Sequence, residues 1–363
     1  MKRILILSFW TVFCHSGFGQ APPPAGDSTE AVKLAKFGPL FKNEDIIQLK
    51  IITNLKALQK DRGDKPVNHW GRLLYARKKK GYINIPIKLR VRGNFRRLTT
   101  NCVFPPLLLD LPKKKDKNSI FERQNRLKLV THCQNEEYIF QEYLVYRMYN
   151  LITDCSFRAR LAQVTYEDSA GKKEPQTRYA FLLEDDDDMS KRNQAKNYNI
   201  KQTPMLYVDS LQMATVAVFE YLIGNTDWSV PYLHNIKLIA KKGGKSPIPV
   251  PYDFDHSGIV EAKYARPAEQ LELASVRERL YRGLTYSPEI FQQVFERFKK
   301  AKSEIYTLYQ NNPKLNAGYI KRTLRYLDEF YETIDNPKEV KRVFVYGGGK
   351  KATAVIKGLD QPK

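Results

Sequence analysis

The chain has 363 residues, enough to bury a sizeable core, and its 42% hydrophobic and 12% aromatic content excludes a disordered or low-complexity protein. Its 61 Lys and Arg against 39 Asp and Glu leave a net charge of +22, which suits anionic partners. Charge alone does not choose among nucleic acid, lipid head groups and phosphorylated ligands. The basic runs at 77–80, 113–117 and 241–245 fall between apolar segments, as solvated loop tips do.

Residues 1–19 have the parts of a secretory signal: Lys2 and Arg3, an apolar run over 4–13, then Gly17 and Gly19. Cleavage after Gly19 is the expectation, with a periplasmic or secreted product. The apolar run is shorter than the ~20 residues a membrane-spanning helix needs, so no transmembrane helix is expected in the mature form. A Pro-rich tether follows over 20–43. Export permits disulfides, and loss of the signal leaves Cys102, Cys133 and Cys155. Cys102 and Cys133 flank a Lys-rich loop and the next apolar strand, so they are the expected pair. No C-x-x-C spacing is present, which speaks against a zinc site.

Strand patterns begin near residue 44 and continue over 70–76 and 83–93, where Ile83, Ile85, Ile87, Leu89 and Val91 alternate with polar residues. An antiparallel sheet with one buried face is the reading. Segments 102–112 and 126–130 add short strands. Over 136–152 apolar residues recur every three or four positions, which predicts an amphipathic helix with acidic residues at its start. Strands at 160–166 and 178–183 follow, then the run EDDDDMSKRN, read as a solvated loop. A strongly apolar helix over 208–223 ends at Gly224. Strands at 236–240 and 248–254 and helices at 269–282, 287–310 and 315–334 complete the chain. The expectation is an α+β, bilobal fold: a β-rich N-terminal lobe over 44–188 with one long helix, a mainly helical C-terminal lobe over 189–340 with a small β-hairpin, and a basic tail over 341–363.

The stretch PYDFDHSGIV, 251–260, puts Asp253 and Asp255 at the end of an apolar strand. If 235–240 and 248–254 pair as a hairpin, Asn235 and Asp253 meet at one end, beside the loop carrying Asp227. Carboxylate and amide oxygens suit a hard divalent cation, and a carboxylate kept off the metal can accept a proton from an attacking hydroxyl.

GNTDWSVPYLHN followed by PVPYDFDHSG resembles the catalytic loop and metal-binding strand of the CotH family of spore-coat protein kinases, which have a protein-kinase-like fold. LRVRGNFRR, RLKLV, the Glu-bearing helix and YAFLLEDDDD resemble its earlier segments, and the likeness runs from about residue 45 to 260. The resemblance implies ATP or another nucleotide with Mg²⁺ or Mn²⁺, and a protein or envelope acceptor. It makes Asp227 the catalytic aspartate and Asn235 and Asp253 the metal ligands, with Asp255 on a further metal. Lys128 would contact phosphate and pair with Glu142, and Arg92 and Asn94 would lie near the phosphates. Asn235 stands further beyond Asp227 than in ordinary kinases, with SVPYLH between them, and no glycine-rich phosphate loop is present. His234 and His256 read as structural. The competing reading is a catalytically inactive relative whose basic surface holds an anionic envelope partner; nucleic acid is disfavoured because no basic and aromatic binding module is recognisable.

Overall fold

The computed structural model describes residues 39–77, 81–113 and 119–347. The expected signal, most of the expected tether, most of the basic runs at 77–80 and 113–117, and the end of the tail lie outside the described residues. Within them, β1 (Ile47–Thr53) leads through the short α1 (Leu55–Lys60) to β2 (His69–Arg77), β3 (Gly81–Val91), β4 (Leu107–Asp110) and β5 (Arg126–Thr131). The long α2 (Glu137–Ile152) then precedes β6 (Ala159–Asp168) and β7 (Gln176–Leu183).

These seven strands form a closed barrel in the order β1-β2-β3-β4-β5-β7-β6. Neighbours pair antiparallel except β1 and β6, which run parallel and close it. The alternation read in β3 is what fills the interior: Ile83, Ile85, Ile87, Leu89 and Val91 all point inward, against Leu49, Ile51, Leu107, Leu109, Leu127 and Leu129. Closure adds what one-sided alternation does not specify, a barrel with no free edge to cover.

After β7 the run expected as a solvated loop is helical, α3 (Asp186–Arg192). Asp185 caps it by accepting from the Asp187 N–H, three aspartates stand in its first turn and Lys191 and Arg192 in its last. The charges match the helix dipole at both ends, which a reading based on acidity alone misses. Strand β8 (Ala195–Asn197) follows, then α4 (Ser210–Ile223), β9 (Ile236–Lys241) and β10 (Ile248–Pro251). The expected hairpin is the β9–β10 pair, widened by β8 to three strands. Helices α5 (Pro288–Tyr309), α6 (Ala317–Asp335) and the short α7 (Pro337–Val340) come last. No helix of the described residues is long and apolar enough to cross a membrane.

Two further expectations need correction. The helix predicted at 269–282 is only a single 3-10 turn, Glu269–Leu271, and Glu272 after it takes a left-handed backbone. Its arginines are used elsewhere: Arg277 donates to the Gly258 carbonyl, Arg279 to those of Leu222 and Tyr326, and Arg282 to those of Thr226 and Trp228. These long-range bonds pin the segment as an irregular strap, and local helix propensity gives way. Helix α2 is not amphipathic in place, since it is buried on almost every side. It packs against β6, β7 and α5, and shares one core with α4, α5 and α6. That burial takes Glu142 out of water.

Gly224 ends α4 in a left-handed conformation (φ +66°), and a Cβ there would come 2.2 Å from the Tyr326 hydroxyl. The Asp227 loop therefore starts from a fixed point.

Cys102 and Cys133 form a disulfide across 31 residues, and Cys155 is a half-buried thiol. A bridge over such a loop restricts the unfolded chain by about 3–4 kcal/mol. Reduction, or Cys102→Ser with Cys133→Ser, is expected to lower the unfolding free energy by that order and with it the denaturant midpoint; an unchanged midpoint in a two-state unfolding curve contradicts it.

Candidate active site

Asp227 lies in the loop after α4. The Asn225 side chain accepts from its N–H (3.0 Å), and Arg282 bonds the carbonyls on either side of it, at Thr226 (2.5 Å) and Trp228 (2.9 Å). The residues separating Asp227 from Asn235 close on themselves: Ser229 and His234 exchange both backbone hydrogen bonds, at 2.9 and 3.0 Å. Leu233 and Asn235, on either side of His234, both adopt left-handed backbone. The loop so turned returns His234 and Asn235 to Asp227. His234 Nε2 lies 2.7 Å from Asp227 Oδ1, and Asn235 Nδ2 donates to Asp227 Oδ2 (3.0 Å) and to its carbonyl (2.7 Å). Although burial works the other way, the bond to Asp227 and its charge raise the His234 pKa. The extra spacing noted in the sequence is thus a loop that delivers a histidine onto Asp227.

Asp253 follows β10. The Tyr252 N–H donates to the Asn235 carbonyl (2.9 Å), so the strand ends coincide, and Asp253 takes a left-handed conformation (φ +64°) with its N–H on the buried Tyr146 hydroxyl (2.8 Å). Burial, then the carboxylate of Asp255 and after it that of Asp227, push the Asp253 carboxyl above the usual range, while Arg96 and Arg92 oppose them. The structure thus brings Asp227, Asn235 and Asp253 together, with Arg92 beside them; Asn94 is exposed two residues on.

The remaining expected partners differ. Lys128 on β5 does not pair with Glu142. Its Nζ donates to Asp186 Oδ1 of α3 (2.7 Å), and the other oxygen of Asp186 takes Lys237 of β9 (2.9 Å). The Tyr252 ring lies against both ammonium groups, at 5.2 and 5.7 Å. Burial lowers the Lys128 pKa, with Asp186 acting against it. Glu142 instead accepts from Arg96 Nη2 (2.5 Å), and Arg96 Nε donates to Asp255 Oδ2 (2.8 Å), an oxygen that also accepts from the Tyr264 hydroxyl (3.1 Å). One oxygen of Asp255, Oδ2, is therefore taken by an arginine and a tyrosine hydroxyl. All three charged groups are buried: Arg96 is 8% exposed, Asp255 5% and Glu142 1%. The segment RGNFRR marked this region, but nothing in its composition distinguishes Arg96 from Arg92 or Arg97.

A divalent cation fits part of this set. Asn235 commits its Nδ2 to Asp227, which leaves Oδ1 as its oxygen to offer, and half-buried Asp253 sits among carboxylates with its charge incompletely offset. Among the described residues no group of three or more His, Cys, Asp or Glu is arranged to hold a metal ion. A neighbouring cleft of about 420 Å³, lined among others by Glu261, Arg266, Arg277 and Arg322, contains none of the site residues.

No family model matches the chain, and no curated protein does. Among solved structures it is similar to the crystal structure of a Helicobacter pylori proinflammatory kinase, CtkA, with a TM-score of 0.39 and 13% identity over 66% of this chain and 94% of that one.

Glu220 on α4 faces the same loop. Burial pushes its carboxyl up to about 8, with Asn225 pulling down, Asp227 adding to the rise and Arg282 opposing it. An acid whose folded pKa lies above its unfolded value holds its proton more tightly when folded, so its stability is fully present below the unfolded pKa and is lost as pH rises through about 8. Glu220→Gln is expected to remove that loss. Unfolding free energies from pH 5 to 9 should fall less steeply in the variant than in the parent, by about 1 kcal/mol or more over the range; parallel curves rule out a buried proton on Glu220.

Proposed function

We propose that this protein is an exported phosphotransferase with a kinase-like fold, related to the CotH family, which uses a nucleotide and Mg²⁺ or Mn²⁺ on a protein or envelope acceptor. The observation that carries the reading is the convergence of Asp227, Asn235 and Asp253 at one end of the β9–β10 pair, beside a barrel that supplies Lys128 and Arg92.

In this reading Asn235 and Asp253 would hold the divalent cation, which when bound would supply neutralisation of phosphate charge. Asp227 accepts the proton of the acceptor hydroxyl. Its carboxylate is turned to a fixed angle by Asn235 and His234, so it is oriented before the acceptor arrives. Lys128 and Lys237, separated by Asp186, place two ammonium groups on the face that would meet phosphates, and Arg92 adds a third positive charge there. The net charge of +22 suits an anionic nucleotide and an anionic envelope surface alike.

One observation favours a second reading, an inactive relative that binds an anionic envelope partner. Lys128 is already engaged by Asp186 and Glu142 by Arg96, so the Lys–Glu pair implied by the family resemblance is absent.

Thermal unfolding with ATP, in the presence and absence of Mg²⁺ or Mn²⁺, separates the two. Ligand that binds only the folded state must raise the midpoint. The phosphotransferase reading expects a metal-dependent rise that Asp253→Asn abolishes. Asp227→Asn is expected to keep the rise while lowering ATP turnover by roughly 10²–10⁴-fold. No rise with any nucleotide defeats that reading in favour of the binding protein, whose affinity for anionic vesicles should fall steeply with salt.

A further inference from the structure

The positive charge at Asp255 and Glu142 is already built into the chain. Arg96 comes from the loop that leaves β3, and its guanidinium donates Nε to Asp255 and Nη2 to Glu142, joining the barrel to α2 and to the segment after β10. The neighbouring Phe95 ring packs on His256 (5.2 Å) and Tyr264 (5.3 Å), so the loop is fixed by aromatic contact as well as by charge. Tyr264 closes the far side by donating to the same Asp255 oxygen. A divalent ion placed on Asp255 would have to face this buried guanidinium at close range, in surroundings where like charges repel strongly.

We propose that Arg96 stands in for a second divalent cation. The site then takes a single metal ion, on Asn235 and Asp253, and Asp255 is the anchor of Arg96 rather than a metal ligand. This rests on the phosphotransferase reading for the first ion and departs from the role that the family resemblance gives Asp255. Arg96 is a positioning residue: it engages Glu142, while Lys128 pairs separately with Asp186, and it holds Asp255 in place two residues from Asp253.

The test is Mn²⁺ binding to the purified full chain without nucleotide, read from the free-ion resonance signal, with unfolding midpoints measured on the same samples. One ion per chain is expected in the parent, lost in Asp253→Asn and retained within about threefold affinity in Asp255→Asn. Arg96→Met and Asp255→Asn should each lower the unfolding midpoint, and the double variant should fall clearly less than the sum of the two shifts. Two ions per parent chain, one of them lost with Asp255→Asn, overturn the proposal while leaving the phosphotransferase reading intact. Additive midpoint shifts overturn the role of Arg96 whatever the ion count. No Mn²⁺ binding overturns both the one-ion site and the metal-dependent reading.

Discussion

Burying one arginine between two carboxylates is the constraint on which the rest of the site depends. Arg96, Glu142 and Asp255 come from three parts of the chain, and each is withdrawn almost completely from water. A charge so placed is stable only when paired and hydrogen-bonded, and removing one partner of such a set typically costs about 3–5 kcal/mol. The loop after β3, the middle of α2 and the segment after β10 are therefore locked to one another. Glu142 Oε1 is buried without a hydrogen-bond partner, so the arrangement carries a cost that the packing around it must meet.

Two apolar cores make that cost tolerable and give the site its floor. The barrel interior holds the strand that carries Lys128, while the second core packs α2 and α4 so fully that Glu142 and Glu220 both lie within it. Aromatic rings fill the space beneath the loops that carry Asp227 and Asp253: Tyr146 meets Phe254 edge-on and Phe181 at a tilt, and its hydroxyl receives the Asp253 N–H. The left-handed residues Leu233, Asn235 and Asp253 cluster where the side chains converge. Asn and Asp accept that conformation more readily than most, whereas Leu233 stores strain that the paired loop around it must hold.

Electrostatics divide the region into two charge systems. Asp186 balances Lys128 and Lys237 on one side, and Arg96 balances Glu142 and Asp255 on the other. Asp253 lies between them with only partial compensation, which is why its carboxyl is pushed up while, despite burial, Arg96 keeps Asp255 below the usual range. Two aspartates separated by one phenylalanine thus do different work, because one has a buried guanidinium and the other does not.

The sequence by itself determined the elements whose burial pattern is periodic: the alternating strand at 83–91, the apolar helix ending at Gly224, and the strand pair that brings Asn235 to Asp253. It also marked Asp227, Asn235 and Asp253, because polar residues interrupting buried strands and helix ends are visible in one dimension. Tertiary structure alone decided the partners. Arg92, Arg96 and Arg97 are indistinguishable as letters, and only the fold buries Arg96 between two carboxylates while leaving Arg92 and Arg97 half-buried, Arg97 against Gly63 and Asp64. Closure of the barrel through the parallel β1–β6 pair, the conversion of 269–282 into a strap held by its arginines, and the return of His234 to Asp227 are likewise long-range. Periodicity reports which face of an element is buried; it carries no information about which distant charge will meet it there.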